Sequence, residues 1–407
     1  MKEFFDVIIV GGGMVGATLA CALGDSKLSV AIIENTPPPP FSAEQPHDLR
    51  VSALSIASKN ILDHLGAWEG IVQRRYCPFQ RMRVWETTGD TEFCSAAIDH
   101  QALGYIVENR ITQLALLDRL TEFNNIQFLC PVSIQTIHYT PGAHTELILS
   151  DGRVLSTPLI IAADGGQSKI RQAVNLGVTS WDYEQHAMVI NVETGYEQQD
   201  ITWQRFVPSG PQAFLPLSGR HGSIVWYNSF EEIQRLSKLP YPALKEELIA
   251  AFPVCLGHIN QIVGTASFPL KRQHAQHYIK PGVALIGDAA HTINPLAGQG
   301  VNIGLLDAAA LAEVILEAHA NGLNIADVKV LKRYEAMRRT ENLKIMTVMD
   351  AFYLAFSNNI LPLKIVRNLG LSMAERLLPI KNLVMRAAMG LDGPLPKLAM
   401  PKKDLSH

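Results

Sequence analysis

Residues 5–34 constrain the fold of this chain more than any other stretch. Phe5-Asp6-Val7-Ile8-Ile9-Val10 reads as a short β-branched strand. Gly11-x-Gly13-x-x-Gly16 follows at once, then a small-residue helix from Met14 to about Gly24. A second strand, Leu28 to Ile33, ends in Glu34. Gly11 permits a tight turn, Gly13 lets the backbone approach a pyrophosphate, and Gly16 allows close packing of helix on strand. Glu34 lies eighteen residues beyond Gly16, where an acid can accept both hydroxyls of an adenosine ribose. Strand, turn, helix, second strand and acid together predict a Rossmann-like dinucleotide site. The motif leaves FAD and NAD undistinguished, although it begins at residue 11 and no second copy occurs later.

The rest of the composition narrows the class. The chain of 407 residues is 47% hydrophobic and 18% charged, which suits a globular protein with a sizeable core. A net charge of −3 gives no sign of a nucleic-acid partner. The five cysteines, Cys21, Cys77, Cys94, Cys130 and Cys255, are scattered and form no C-x-x-C pair. That argues against a disulfide framework or a metal site and for a reducing compartment. Residues 5–24 contain Asp6 and three consecutive glycines, so they read as strand, turn and helix rather than a signal peptide or membrane span. A soluble, cytoplasmic protein is expected.

A second half-site stands at residues 281–307, PGVALIGDAAHTINPLAGQGVNIGLLD. An apolar strand, Val283 to Ile286, runs into Gly287-Asp288; a loop from Asn294 to Gly300 follows, and a helix opens near Val301. One carboxylate thus sits at a strand end, and backbone N–H groups cluster around a helix start, an arrangement that suits an anionic cofactor. Between the two half-sites, Leu159 to Ala163 leads into Asp164-Gly165, with a helix from about Ser168. Arg50 precedes a helix from Ser55 to Leu65, closed by Gly66, and Glu108-Asn109-Arg110 opens another. The segment 126–162 reads as strands around a turn at Asp151-Gly152. Residues 181–230 alternate like an antiparallel sheet, with a helix expected over Glu231–Ala251 and a strand over Ile262–Pro269. The fold class is therefore α/β with α+β character: a Rossmann-like domain carrying an inserted antiparallel sheet and C-terminal helices. Residues 1–80, 98–180 and 268–330 are expected to form the discontinuous cofactor domain, 81–97 and 181–267 the substrate sheet, and 331–400 a helical region. Within the last, Ile360 to Leu391 has helical apolar spacing with interspersed basic residues, which reads as a helix packed on the core.

Three motifs in this order, Gly11–Gly16 with Glu34, Asp164-Gly165, and Gly287-Asp288, resemble the class A flavoprotein aromatic hydroxylases, of para-hydroxybenzoate hydroxylase-like fold. Residues Pro295 to Asp307 look like the signature of the ubiquinone-biosynthesis hydroxylases, and the similarity covers roughly residues 4–391. Asn294, which stands where many members have His, resembles the branch acting on 2-polyprenyl-3-methyl-6-methoxy-1,4-benzoquinol, as do Thr202-Trp203-Gln204, Phe214 to Leu217 and Phe356 to Asn359.

The resemblance implies bound FAD, with NAD(P)H as a transient reductant and O2 as co-substrate. Hydroxylation of the quinol ring would run through a C4a-hydroperoxyflavin. Glu34 would bind the adenosine ribose, the three glycines the pyrophosphate, and Asp288 the ribityl chain. Arg50 with Asn109 or Arg110 would line the groove, and Asp164 would touch both FAD and the reductant. Pro295, Gly298 and Gly300 would lie beside the flavin, Asn302 would join the cofactor set, and the helix opening after Gly300 would aim its positive end at reduced flavin. No catalytic side chain is assigned, and no metal is expected. Trp203, Phe214 and Tyr227 are candidate substrate contacts on the inserted sheet. Other ubiquinone-biosynthesis proteins, a second copy of the chain and the inner membrane face are candidate partners. The competing readings are a hydroxylase for another ring position or another phenol, an NAD-dependent dehydrogenase, and a catalytically silent flavoprotein scaffold.

Overall fold

The structure, a computed structural model, describes residues 2–86, 89–293, 300–356, 386, 389–391 and 393–402. At its centre is a sheet of six strands among the described residues. Their order is Ile279–Lys280, Val283–Leu285, Leu159–Ala162, Val7–Val10, Val30–Ile33, Ile126–Leu129. All neighbours pair in parallel except the Ile279–Lys280 edge. The runs VIIV, VAII, LIIA and VAL are buried throughout, as parallel strands covered on both faces must be. The helices Met14–Ala22, Asn109–Leu120 and Gly300–Ala320 pack together over this sheet and share its apolar core.

The second large sheet has eight strands among the described residues. In order they are His291–Thr292, Ile259–Ala275, Val178–Thr194, His221–Ser229, Gly210–Pro216, Ile201–Val207, Arg81–Trp85 and Asp90–Cys94. Only Ile201–Val207 with Arg81–Trp85 is a parallel pair. One face is covered by two helices, Phe230–Ser237 and Tyr241–Ala251, where a single helix was expected. Pro240 explains the break, because it has no N–H to continue the first helix and becomes the N-cap of the second. The strand expected over Ile262–Pro269 extends to Ile259–Ala275, long enough to reach the parallel-sheet region.

The expected helix at Ser55–Leu65 is found at Ile56–His64, capped by the Ser55 hydroxyl on the Ser58 N–H (3.2 Å) and followed by Gly66 with φ +74°. A helix at Val328–Phe356 packs against Gly300–Ala320. Most of the expected C-terminal helix at Ile360–Leu391 lies outside the described residues. No described helix is long and apolar enough to cross a membrane.

Candidate cofactor and active site

Register brings the sequence motifs together. Val10 pairs with Ile33 and with Ala162, and Ala162 pairs with Leu285, so four parallel strands end level. Gly11, Glu34, Asp164 and Asp288 lie just beyond those ends, along one carboxyl edge of the sheet, where ligands bind open α/β folds.

The N-terminal turn is held by close packing. A Cβ on Gly16 would fall 1.9 Å from the Gly11 carbonyl oxygen, and one on Gly11 2.3 Å from that of Ala163. A Cβ on Gly13 would meet nothing within 4 Å, so the protein itself leaves that side of the turn open. Gly13 caps the helix Met14–Ala22 without a side-chain hydrogen bond, leaving the first N–H groups available to an anion. Glu34 accepts hydrogen bonds from the Gly12 N–H (2.8 Å) on one oxygen and the Thr36 N–H (3.0 Å) on the other. Its carboxylate is thus aimed, and each oxygen keeps a lone pair for a further donor.

Asp164 uses one oxygen to accept from the N–H groups of Lys169 (2.7 Å) and Ile170 (3.3 Å). Its other oxygen is buried with no hydrogen-bond partner. Burial pushes this carboxyl up, and the hydrogen bonds of the following turn offset part of that rise. Asp288, in the short turn Gly287–Ala289, is open to solvent, whereas Gly287 and Ala289 on either side of it are buried. Desolvation pushes its carboxyl up too, against the opposing influence of His291 and Arg50. The exposed Arg50 guanidinium is thus near enough for its charge to act on Asp288.

Arg110 and Asn109 act one step back from the cleft. The Arg110 guanidinium grips Asp48 at 2.8 and 2.7 Å and donates to the Pro40 carbonyl (2.8 Å), ordering the loop ahead of Arg50. Asn109 donates its N–H to the Arg50 carbonyl (2.9 Å), and its Oδ1 accepts from the Ser52 hydroxyl (2.7 Å). Asn302 is buried: its Oδ1 accepts from the Ser55 N–H (2.9 Å) and the Ser58 hydroxyl (2.7 Å), and its Nδ2 donates to the Ala53 carbonyl (2.8 Å). Those bonds fasten the start of the Gly300–Ala320 helix to its neighbour. Gly300 begins that helix, whereas Pro295 and Gly298 lie outside the described residues.

Sequence reasoning missed Arg171. Its buried guanidinium donates to the carbonyls of Ala289 (2.8 Å) and Gly166 (2.7 Å), tying the Asp164 turn to the Asp288 turn. An arginine in the first turn after an Asp-Gly motif was the available signal.

The three substrate candidates divide between the faces of the eight-stranded sheet. Trp203 and Phe214 stack at 5.7 Å within the core covered by the two helices. Tyr227 lies on the other face, with Ala187, Leu270 and Met349. That face meets the loop carrying Arg50: Asn191 Nδ2 donates to the carbonyls of His47 and Asp48, both at 3.1 Å. Only Tyr227 of the three is brought to the cofactor side. Among the described residues, no group of three or more His, Cys, Asp or Glu could hold a metal ion.

The family model described as FAD binding domain matches residues 5–348. The chain is 42% identical to the 3-demethoxyubiquinol 3-hydroxylase of Escherichia coli (strain K12), over 95% of this chain and 98% of that protein. It is 32% identical to the human ubiquinone biosynthesis monooxygenase COQ6, mitochondrial, over 94% and 92% of the two chains. Among solved structures, p-nitrophenol 4-monooxygenase PnpA from Pseudomonas putida DLL-E4 superposes with a TM-score of 0.78 at 19% identity, covering 97% of this chain and 99% of that one. This chain thus belongs to the FAD-binding-domain family of flavin-dependent monooxygenases and, within it, to the ubiquinone-biosynthesis hydroxylases.

Proposed function

We propose that this chain hydroxylates a polyprenyl benzoquinol lacking one ring methoxy group, of the 2-polyprenyl-3-methyl-6-methoxy-1,4-benzoquinol type. Its similarity to a relative named 3-demethoxyubiquinol 3-hydroxylase, across nearly the whole of both chains, carries this choice. The residues present fit FAD: the turn is open at Gly13, the helix N–H groups are uncapped, Glu34 is aimed, and Asp164 has a buried oxygen without a partner. FAD, when bound, supplies the two-electron chemistry that links NAD(P)H and O2 to the ring. Glu34 would hold the adenosine ribose, the Gly11–Gly16 turn the pyrophosphate, and Asp288 with Arg50 the far end of the cofactor. Overall, the ring C–H becomes C–OH, the second oxygen atom leaves as water, and NAD(P)H with one solvent proton balances the electrons.

The sheet face bearing Ala187, Val189, Val225 and Tyr227 supports the substrate side, because its apolar character suits a quinol ring and excludes water. In this reading residues 1–80, 98–180 and 268–330 form the cofactor domain, 81–97 and 181–267 the substrate sheet, and 331–400 the C-terminal region. The enzyme would work in the cytoplasm and meet its polyprenyl substrate at the inner membrane face. The test is NAD(P)H oxidation by purified holoprotein with a short-chain demethoxyubiquinol, the product being read by mass. We expect stimulated oxidation and a product heavier by one oxygen; stimulation only by a quinol lacking a different ring substituent would overturn the substrate choice.

A further inference from the structure

Beneath the Asp288 turn lies a buried polar network that the proposed chemistry does not use. Asp307, from the helix Gly300–Ala320, is 0% exposed and so cannot itself touch a bound cofactor. One of its oxygens accepts from the Gly287 N–H (3.2 Å) and pairs with His291 Nε2. The other accepts from Arg338 Nε and Asn342 Nδ2, both at 2.9 Å. Arg338 also donates to Asn342 Oδ1 (2.7 Å), and Asn342 Nδ2 reaches the Tyr278 hydroxyl at 3.3 Å. Tyr278 in turn lies 3.1 Å from His274 Nε2, and the Tyr334 hydroxyl donates to the Leu285 carbonyl (2.7 Å) at the end of the preceding strand.

Gly287 and His291 flank Asp288, so a single carboxylate grips both ends of the turn that presents it. We infer that Asp307 is a positioning residue, clamping the 287–291 turn so that Asp288 faces the cofactor cleft before any cofactor arrives. An apolar side chain at 307 would fill a helix–strand contact without the cost of burying charge. A carboxylate that collects four donors instead fixes direction, because each donor comes from a different point of the turn or of the helix Val328–Phe356. Burial would raise the Asp307 carboxyl, but His291, Arg338 and the hydrogen bonds of His291 and Asn342 outweigh it and hold it below the usual carboxylate range.

This inference rests on the reading of Asp288 as a cofactor contact, so both residues are tested together. FAD affinity is measured by fluorescence on apoprotein, with backbone hydrogen exchange of 287–292 and urea unfolding of the same samples. Asp307→Asn replaces one acceptor oxygen by a donor and should weaken FAD by about ten- to a hundredfold while exchange in the turn accelerates. Asp288→Ala should weaken FAD comparably, and the double variant should add little to either. Should Asp307→Asn fail to fold, His291→Phe keeps the ring volume, loses the donor and should still weaken FAD, whereas His291→Gln should largely restore affinity. Unchanged FAD affinity with lowered urea stability in Asp307→Asn or His291→Phe, beside a weakened Asp288→Ala, would overturn the positioning role alone. Unchanged affinity in Asp288→Ala would instead overturn the cofactor reading beneath it.

Discussion

A methyl group added at Gly11 would land 2.3 Å from the Ala163 carbonyl oxygen, in a backbone with φ of +106°, whereas one at Gly13 would meet nothing within 4 Å. Packing demands the first glycine, and only an occupant of the cleft demands the second. Gly11→Ala should therefore destabilise the apoprotein by about 2 kcal/mol or more. Gly13→Ala should leave its unfolding midpoint nearly unchanged and weaken FAD binding. Paired thermal melts and flavin titrations check both, and equal losses of stability would refute the distinction. The gathering of Gly11, Glu34 and Asp288 at one sheet edge was legible because short motifs encode backbone geometry beside a strand end. The fate of Asn302 was not: its side chain meets residues 53–58, some 250 positions away, and no local pattern reports such a contact. For Trp203 and Phe214, alternation showed two sheet faces but could not tell which one the helices would cover.

Helix placement depends on a few polar anchors between elements. Asn302 satisfies the Ser55 N–H, the Ser58 hydroxyl and the Ala53 carbonyl, so it joins one long helix to the cap of another. Asn302→Leu should strand these buried groups and cost about 2–4 kcal/mol in urea unfolding. If the loss is below about 0.5 kcal/mol, solvent or a shifted helix must be satisfying the same groups. The elements themselves were largely legible, since the buried parallel strands and the Asp-Gly turns have strong local signatures. The exception at 231–251 shows how the apolar period survives across a proline that the backbone cannot: the helical face continues while the helix does not.

At the level of the whole molecule, the two sheets meet where the His47–Arg50 loop touches the long strands. His47 lies there with its Nε2 2.9 Å from the Ser218 hydroxyl and its ring 4.7 Å from that of His221. Desolvation, with Arg75 and His221 nearby, pulls its pKa down to about 3, and burial beside His291 pulls that of His274 down to about 4. Unfolding restores both to near 6.5, so between pH 6.5 and about 4 the unfolded chain binds more protons than the native one. Stability should thus fall as pH drops through that window, and His47→Gln should flatten the dependence measured by urea unfolding at pH 7 and pH 5. A slope unchanged by the substitution would place the acid sensitivity elsewhere. That 81–97 joins the sheet of 181–267 was expected, but this junction and the parallel sense of the pair Arg81–Trp85 and Ile201–Val207 were not legible, because both join segments remote in sequence.

The insertion of one sheet into the middle of another also sets a timetable for synthesis. Leu159–Ala162 has its eventual neighbour, Val283–Leu285, about 120 residues further along the chain. At about 5–20 residues per second, a ribosome needs roughly 6 to 24 s to deliver that neighbour. For that interval the nascent parallel sheet carries an open edge, the kind of edge that recruits foreign strands. The antiparallel segment emerging in between can pair its own hairpins while it waits, and the six-stranded sheet is completed by the last of its own strands to arrive.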